Sequence, residues 1–399
     1  MSNVLYWIRK KGLGFAIKEA ISRLFFAILK LRYSASNLQD IIIMESHNDF
    51  DSNCGAFYDY LIQHGVHERY KIVWLTKNKI PDNLPHNVKA FPIDRLSFRK
   101  NYYHCRARFI LYEDRTVDRI WDEQIVVYCS HGGVSFKNVK GHLAVSEAVS
   151  YVLSSSINYD PLLCDNLSIS YPNQKMLHLG FPSNDLLFRE GRDELRKITK
   201  EPFERAILWM PTFRKSKSGR NDSNEEYPFG VPLIKSIKEF RTVDRFLQLN
   251  KALLIIKYHP MQDLTQVRLP SELGNIRFID AAATKALGLD GYRLMACADA
   301  MIGDYSAAAY SFLLLNRPMA FVLSDLGNYA PGLTCRSIGD LDVLPGEKIY
   351  SFEDFLGFLE NLVSKKDAFC EERKRLAEWL YTDIDGKASE RLARFLHLI

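Results

Sequence analysis

Short apolar runs alternate with helical stretches along most of this 399-residue chain. Residues 41–44 (IIIM), 253–257 (LLIIK) and 318–323 (PMAFVL) are typical of these runs, and polar residues bound each of them. Runs of this kind predict strands that are buried on both faces of a parallel sheet, with helices covering the faces. The pattern therefore indicates the α/β class.

The runs form two groups of similar size, separated by a charged segment at residues 189–205 that we predict to be helical. We see no internal repeat relating the two groups. The last clear strand is predicted at residues 318–323. We divide the chain into a first helix at 1–33, two α/β domains at 34–185 and 186–380, and a C-terminal helix at 381–399.

The stretch from residue 299 to residue 318 predicts a strand, a polar turn and a helix at residues 307–315. Ser306 is placed to cap this helix, because its hydroxyl can accept a hydrogen bond from an amide of the first turn. A helix start of this kind can bind phosphate through its amides and its dipole. An ordinary strand–turn–helix unit has the same pattern. Other motifs of the chain are therefore needed to distinguish a phosphate site from a purely structural unit.

A histidine follows an apolar run in each half of the chain. His131 follows residues 125–129, and His259 follows residues 253–257. Ligands of open α/β sheets bind beyond the carboxyl ends of the strands, so a cleft between two sheets would let both histidines face one ligand. Histidine can act as a general base near neutral pH, although a histidine at a strand end can equally be structural.

Other candidate anion ligands also follow strands in the second half. A pyrophosphate is bound by positive charge and hydrogen-bond donors, which basic side chains, a hydroxyl and a helix start can supply together. The candidates are Arg214, Lys257, His259 and Ser306. The alternative is that Arg214 and Lys257 are solvated charges at strand ends.

Residues 1–33 are basic and carry apolar residues at helical spacing. Their net charge is +6 and that of the whole chain is +5, so the remainder is nearly neutral and no nucleic-acid partner is expected. Leu13, Ile17, Ala20, Leu24, Ile28 and Leu31 share one helical face. The longest uncharged run is far shorter than the ~20 residues of a spanning helix. We predict a helix lying on an anionic membrane, with packing on its own domain as the alternative.

The cysteines and acidic residues do not form a recognisable metal or cofactor motif. The seven cysteines are scattered and include no C-x-x-C pair, so a reducing cytosolic compartment fits better than a disulfide framework or a zinc site. No GxGxxG or GxxxxGK[ST] motif is present. We therefore predict no cofactor and no tightly bound metal.

Five motifs, taken in order, resemble the CDP-glycerol glycerophosphotransferases of teichoic-acid and capsule synthesis. They are SHGGVSFK (130–137), LGFPSNDLL (179–187), PTFR (211–214), KYHP (257–260) and IGDYSAAAYSFLLLNRPMAFVLSDLGNY (302–329). The resemblance covers about residues 40–330. It implies a GT-B architecture, in which an N-terminal Rossmann-like acceptor domain and a C-terminal Rossmann-like nucleotide-donor domain face each other across a cleft.

The resemblance also implies a reaction and roles for particular residues. A polyol phosphate, most often glycerol phosphate from CDP-glycerol, passes to a hydroxyl of a membrane-linked acceptor, and CMP is released. His131 resembles the base that accepts the proton of that hydroxyl, and His259 is the second catalytic candidate. The implied donor contacts are Thr212, Arg214, Lys257, Asp304, Tyr305 and Ser306, and Gly132 and Lys137 are candidate acceptor or phosphate contacts. The implied location is peripheral, at the cytoplasmic face of the cell membrane.

The chain departs from the usual motifs of the family at three places. Gly133 and Val134 replace Thr-Pro, Lys257 and Tyr258 replace Arg-Pro, and Ser311 stands where an acidic residue is usual. A carboxylate at position 311 would be placed to hold a nucleotide ribose, so the donor stays open between CDP-glycerol, CDP-ribitol and another activated polyol phosphate. A glycosyltransferase that uses a nucleotide sugar and a catalytically silent acceptor-binding subunit are the alternative functions.

Overall fold

The computed structural model describes residues 13–399, apart from a set of excluded positions. These are 79, 95–96, 116, 118, 137–144, 147, 190, 217–218, 220–226, 271, 305 and 326–341. Two predicted site residues, Lys137 and Tyr305, therefore lie outside the described residues.

The N-terminal half contains one parallel sheet. Its strands are β1 (Gln39–Met44), β2 (Lys71–Thr76), β3 (Val88–Pro92), β4 (Ala107–Tyr112), β5 (Ile125–Tyr128), β6 (Tyr151–Ser154) and β7 (Met176–His178). They lie in the order β3–β2–β1–β4–β5–β6–β7, and neighbouring strands are parallel. Each predicted strand of this half is present, because its apolar run is buried between layers of helices: Ile42, Ile43 and Met44 have no exposed surface.

The C-terminal half contains a second parallel sheet. Its strands are β8 (Arg205–Trp209), β9 (Ala252–Lys257), β10 (Ile276–Ile279), β11 (Ala300–Gly303), β12 (Met319–Val322) and β13 (Glu347–Ile349). Their order is β10–β9–β8–β11–β12–β13. The prediction that residues 318–323 form the last strand is wrong, because β13 pairs with β12 as an edge strand.

The described helices flank the two sheets. They are α1 (Leu13–Arg32), α2 (Ser52–Gln63), α3 (Val66–Arg69), α4 (Phe98–Arg106), α5 (Asp160–Leu167), α6 (Ile237–Leu249), α7 (Ala281–Leu287), α8 (Gly291–Cys297), α9 (Ala307–Phe312), α10 (Phe352–Val363), α11 (Cys370–Leu380) and α12 (Ala388–Phe395). The charged segment 189–205 contains only a 3₁₀ turn at Arg192–Lys197, which corrects the predicted helix. This segment lacks the apolar stripe that stabilises an α-helix by packing.

The strand order of each sheet reverses direction at one point. In the N-terminal sheet this switch point lies between β1 and β4, and in the C-terminal sheet it lies between β8 and β11. A crevice opens beyond the carboxyl ends of the strands at such a point, and ligands of open α/β sheets bind there. The loops that follow these four strands are therefore where a site is expected.

The two halves pack directly against each other. The ring of Phe136 lies 4.7 Å from that of Tyr310, which belongs to α9. The C-terminal helix α12 returns to the N-terminal half, where Asp185 accepts hydrogen bonds from the backbone amides of Ala388 and Ser389, each at 2.8 Å. The last residues of the chain thus complete the N-terminal half.

Helix α1 divides its large side chains between two environments. Phe25 and Phe26 contact α4 through Phe98 and His104, at ring distances of 5.9 and 5.4 Å. The apolar side chains that were predicted to share one face include four exposed ones: Ile17 (51%), Leu24 (57%), Ile28 (46%) and Leu31 (90%). In the part of the chain that the structure describes, no helix has the length and apolar character needed to cross a bilayer.

Candidate active site

A buried ionic network occupies the switch point of the C-terminal sheet. Asp304, which follows β11, accepts hydrogen bonds from the backbone amide and the hydroxyl of Thr212, at 2.9 and 2.8 Å. Arg214 lies 2.9 Å from the carboxylate of Asp304 and 2.6 Å from that of Asp325. One guanidinium thus joins the loop after β8 to two carboxylates.

This network gives Arg214 a structural role in addition to the predicted one. Its guanidinium is only 1% exposed, and Nε, Nη1 and Nη2 all donate hydrogen bonds within the network. Burial acts to lower the pKa of Arg214, but the carboxylates of Asp304 and Asp325 raise it overall. Arg214 and Asp304 therefore brace the loop containing Thr212, and the predicted contact of Arg214 with a donor phosphate stays a prediction.

Lys257 is a buried basic residue of this half, and none of the described residues forms an ion pair with it. Its side chain is buried at the end of β9, and burial lowers the pKa of the ammonium while Asp290 acts to raise it. Among the described residues, no hydrogen-bond acceptor contacts its Nζ. The Cε atom lies close to Gly291, the first residue of α8, at 3.8 Å from the position of a Cβ added there. An anion beside Lys257 would stabilise its charged form.

His259 and Ser306 lie at the same carboxyl edge of the C-terminal sheet. Nδ1 of His259 accepts a hydrogen bond from the backbone amide of Met261 at 3.1 Å, so a neutral ring carries its proton on Nε2. The ring also contacts that of Phe213 at 5.1 Å. Ser306 caps α9 by accepting a hydrogen bond from the amide of Ala308 at 3.3 Å, which confirms the predicted cap.

A second charged cluster occupies the switch point of the N-terminal sheet. Glu45 follows β1, and its Oε2 accepts hydrogen bonds from the amides of Glu113 and Asp114, both at 3.1 Å. Lys77 lies 2.6 Å from Oε1 of Glu45 and 2.8 Å from Asp114. Sequence reasoning missed this cluster. The one feature of the sequence that indicated this cluster was that polar residues directly follow the apolar runs of β1 and β4.

Glu113 connects this cluster to helix α2. Its carboxylate is fully buried and accepts hydrogen bonds from the amides of Cys54, at 2.5 Å, and His47, at 3.2 Å. Burial raises the pKa of Glu113 well above its ordinary value, although these two amides act in the opposite direction. Glu113 therefore fixes the backbone of His47 from within the protein.

His131 lies on the turn that follows β5, next to His47. The ring of His131 is exposed to solvent, and its centroid lies 3.9 Å from that of His47, with 31° between the ring planes. Nδ1 of His47 lies 3.5 Å from the carboxylate of Asp114. Sequence reasoning also missed His47. This residue follows β1, which is not a neighbour of β5 in the sheet.

Asn53 holds the turn that carries His131. It is fully buried in α2, and its Nδ2 donates to the carbonyl oxygens of Cys129, Ser130 and Gly132 at 3.0, 3.1 and 2.9 Å. Its Oδ1 accepts from the amide and the hydroxyl of Ser183 at 3.0 and 2.6 Å. One amide side chain thus joins the turn to the LGFPSNDLL segment. A polar residue in the first turn of α2 was the only sequence signal.

The hydrogen bonds of Gly132 are used within the turn. Its carbonyl accepts from Asn53, and its amide donates to Oγ of Ser52 at 3.3 Å. Its φ of +85° lies in the left-handed region, which glycine adopts without a steric cost. Gly132 therefore shapes the turn, and its predicted contact with the acceptor stays a prediction.

Gly133 meets Ser311 of α9 across the boundary between the two halves. A Cβ added to Gly133 would lie 2.8 Å from Oγ of Ser311, which is fully buried. Gly133 and Ser311 both depart from the usual family motif, and these two residues contact each other in the structure. Position 311 faces this contact and is closed to solvent, and the effect of Ser311 on the choice of donor stays open. The same contact brings the turn of His131 against the helix that Ser306 caps.

A family model now identifies the protein. The model for CDP-Glycerol:Poly(glycerophosphate) glycerophosphotransferase matches residues 28–398. The chain belongs to this family. The family shown by this match is the one that the five sequence motifs resemble.

The curated relatives of this chain have names that place them in teichoic-acid synthesis. A teichoic acid glycerol-phosphate transferase of Staphylococcus aureus is 22% identical over 409 aligned residues, which cover 95% of this chain and 98% of that protein. A teichoic acid poly(ribitol-phosphate) polymerase of Bacillus spizizenii is 24% identical over 60% of this chain and 36% of its own length. A teichoic acid glycerol-phosphate primase of Bacillus subtilis is 25% identical over 57% of this chain and 53% of its own length. This chain thus spans about a third to a half of the last two proteins.

Solved structures of the wall teichoic acid polymerase TagF share the fold. One has a TM-score of 0.74 at 17% identity, and the superposition covers all of this chain and 97% of that one. A variant of TagF soaked with CDPG has a TM-score of 0.70 at 18% identity, with coverage of 97% and 96%. The predicted GT-B-like architecture of two Rossmann-like sheets is confirmed.

Proposed function

We propose that this glycerophosphotransferase family member transfers a polyol phosphate, in the first instance glycerol phosphate from CDP-glycerol, to a hydroxyl of a membrane-linked acceptor. The acceptor oxygen attacks the phosphorus that bears the glycerol, the bond to the CMP phosphate breaks, and CMP leaves. The single observation that carries this proposal is the Gly133–Ser311 contact, which joins the turn of His131 to the helix capped by Ser306.

His131 is the proposed base for the attacking hydroxyl. Desolvation and, after it, the neighbouring His47 lower its pKa to about 4, so the ring is unprotonated at neutral pH. Solvent at the exposed part of the ring reduces the size of this effect but not its direction. A neutral imidazole at a sheet edge can accept the hydroxyl proton as the new phosphorus–oxygen bond forms.

Lys257 and His259 are the proposed contacts to the donor phosphates. Phosphoryl transfer depends mainly on positioning and on stabilising the charge of the phosphate oxygens and the leaving group. The buried ammonium of Lys257 supplies positive charge that is not neutralised by an ion pair, and His259 supplies a ring donor on Nε2. Thr212, Arg214 and Asp304 hold the adjoining loop in place.

The two histidines are expected to respond differently to replacement by alanine. His131→Ala should lower turnover by about 10²–10⁴-fold and leave donor affinity nearly unchanged, as the loss of a base does. His259→Ala should weaken donor binding and turnover together. His64→Ala, at an exposed histidine beyond the end of α2, is the matched control. Near-full activity of His131→Ala with the native acceptor would contradict the assignment of the base.

The donor is tested by product release. CDP-glycerol, CDP-ribitol and common nucleotide sugars are each incubated with the protein and a membrane extract, and release of CMP, UMP and UDP is measured. We expect CMP from CDP-glycerol together with a new phosphodiester. Release of UDP with a new glycosidic bond would identify a glycosyltransferase. Binding of lipid acceptor without turnover of any donor would indicate a silent subunit.

Helix α1 is the proposed contact with the membrane at its cytoplasmic face. Leu24, Ile28 and Leu31 expose large apolar surfaces, and Lys30 and Arg32 are exposed on the same helix. Apolar side chains can enter the interface of an anionic bilayer while each basic residue adds about 1 kcal/mol of attraction that salt screens.

This membrane contact is tested by co-sedimentation with anionic vesicles. Deletion of residues 1–33 and the double variant Leu24→Glu, Leu31→Glu should each release the protein from vesicles, and high salt should weaken binding of the intact chain. Leu249→Glu replaces a leucine that is 75% exposed on α6 and is the matched control. Unchanged sedimentation of the deletion variant would rule out this use of α1.

A further inference from the structure

His131 lies in face contact with one other imidazole. The ring centroids of His47 and His131 are 3.9 Å apart and the planes are tilted by 31°. Hydrogens and lone pairs on ring nitrogens lie in the plane of each ring, so two stacked rings do not point them at each other. The contact therefore does not provide a hydrogen bond or a path for a proton between the rings. It provides packing and an electrostatic interaction.

The backbone of His47 is held by a hydrogen bond, and its side chain lies beside a carboxylate. Its amide donates to Glu113 at 3.2 Å, and its Nδ1 lies 3.5 Å from Asp114. Asp114 is itself held by Lys77 at 2.8 Å. A ring anchored in this way can define the plane of the exposed ring that stacks on it.

We propose that His47 is a positioning residue for His131, whose ring it orients and which it keeps unprotonated. This inference rests on the proposed function, in which His131 is the base. Two imidazoles at this distance cannot both carry a positive charge without strong repulsion. The carboxylate of Asp114 lies within ion-pair distance of His47, whereas none of the described residues forms an ion pair with His131.

Some of the other charged groups that face His131 raise its pKa, and others lower it. Desolvation lowers the pKa of His131 most, followed by His47, and Lys77 also lowers it; Asp51 and Asp114 raise it. The pKa of about 4 is below the ordinary 6.5, so between these values the unfolded chain binds more protons than the folded chain. Stability from this group therefore decreases as the pH falls from 6.5 toward 4. Removing His47 removes one lowering influence, so the pKa of His131 should rise.

The direct test is NMR titration of histidine labelled with ¹³C at Cε1 in the full chain, with the His131 signal assigned from its absence in His131→Ala. Replacement of His47 by phenylalanine keeps a stacked ring without charge, and His47→Gln removes the ring. Both variants should raise the titration midpoint of His131, because each removes a positive charge that disfavours its protonation. His64→Phe is the matched control, because His64 stacks on Tyr60 at the same 3.9 Å elsewhere on the surface.

Activity supplies a second measurement. The acid limb of kcat/KM should move to higher pH in both variants of His47. Turnover at pH 8 should be lower in His47→Gln than in His47→Phe, because only phenylalanine preserves the stack. An unchanged His131 titration in both variants would overturn the inference. A shifted titration in a protein that turns over no CDP-polyol would support the inference and count against the proposed function.

Discussion

Oγ of Ser311 lies 2.8 Å from the point where a Cβ on Gly133 would be, so the turn after His131 and helix α9 approach each other through a position without a side chain. Residue 133 is therefore constrained by a residue of the other half of the molecule. Added volume in such a well-packed contact typically costs about 1–3 kcal/mol.

Gly133→Ala should lower the free energy of unfolding by about that amount, as measured by urea denaturation. Ser311→Ala alone removes one buried hydroxyl and adds no volume, so its effect should stay within about 0.5–1.5 kcal/mol. The double variant should recover most of the loss. Gly357→Ala in α10, where a Cβ meets nothing within 4 Å, is the control. If the changes in unfolding free energy of the two single variants simply add in the double variant, residues 133 and 311 are not energetically coupled.

Asn53 should affect turnover through the turn of His131. In Asn53→Asp an oxygen replaces the amide nitrogen that donates to three carbonyls, while the oxygen that accepts from Ser183 is kept. Leaving buried polar groups unpaired costs about 1–3 kcal/mol. We expect lower stability and a fall in kcat that exceeds the change in donor KM. Asn250→Ala, at the end of α6, is the control. A change confined to donor KM would contradict a positioning role.

Substitution of Arg214 should mainly change stability, and substitution of Lys257 should mainly change donor binding. Arg214→Met leaves the buried carboxylates of Asp304 and Asp325 without their partner, which should cost about 3–5 kcal/mol of unfolding free energy. Lys257→Met removes a buried ammonium whose burial is unfavourable, so stability should hold or rise while affinity for CDP-glycerol falls. Urea denaturation and calorimetric titration with CDP-glycerol measure the two effects. A stable Arg214→Met protein that loses only donor binding would contradict the bracing role and support Arg214 as a phosphate contact.

Donor turnover is expected not to depend on a tightly bound divalent ion. Lys257 and His259 can supply the charge and hydrogen bonds that stabilise the departing CMP. The assay uses a soluble acceptor analogue, because the phosphates of a lipid acceptor can bind Mg²⁺ themselves. Activity should persist in EDTA. Activity that EDTA abolishes and only Mg²⁺ or Mn²⁺ restores would show that the anion site needs a metal.

The apolar runs determined nearly all of the fold. A strand buried on both faces of a parallel sheet requires consecutive apolar residues, so the run of β9 was sufficient to place Lys257 and His259 at a strand end. Strand β13 was missed because it lies at the edge of its sheet, where Glu347 and Lys348 are half-buried and no apolar run is needed. The motifs likewise identified the family, since their residues are local in sequence.

Only the tertiary structure decided which polar residues meet. The sequence placed Arg214 and Asp304 at strand ends, and the packing of their loops made them a buried ion pair. It also brought His47 onto His131, Asn53 onto the same turn and Gly133 onto Ser311. The physical reason is that burial and periodicity are encoded within a few neighbouring residues. Contacts between distant residues depend instead on the strand order of each sheet and on how the two halves pack.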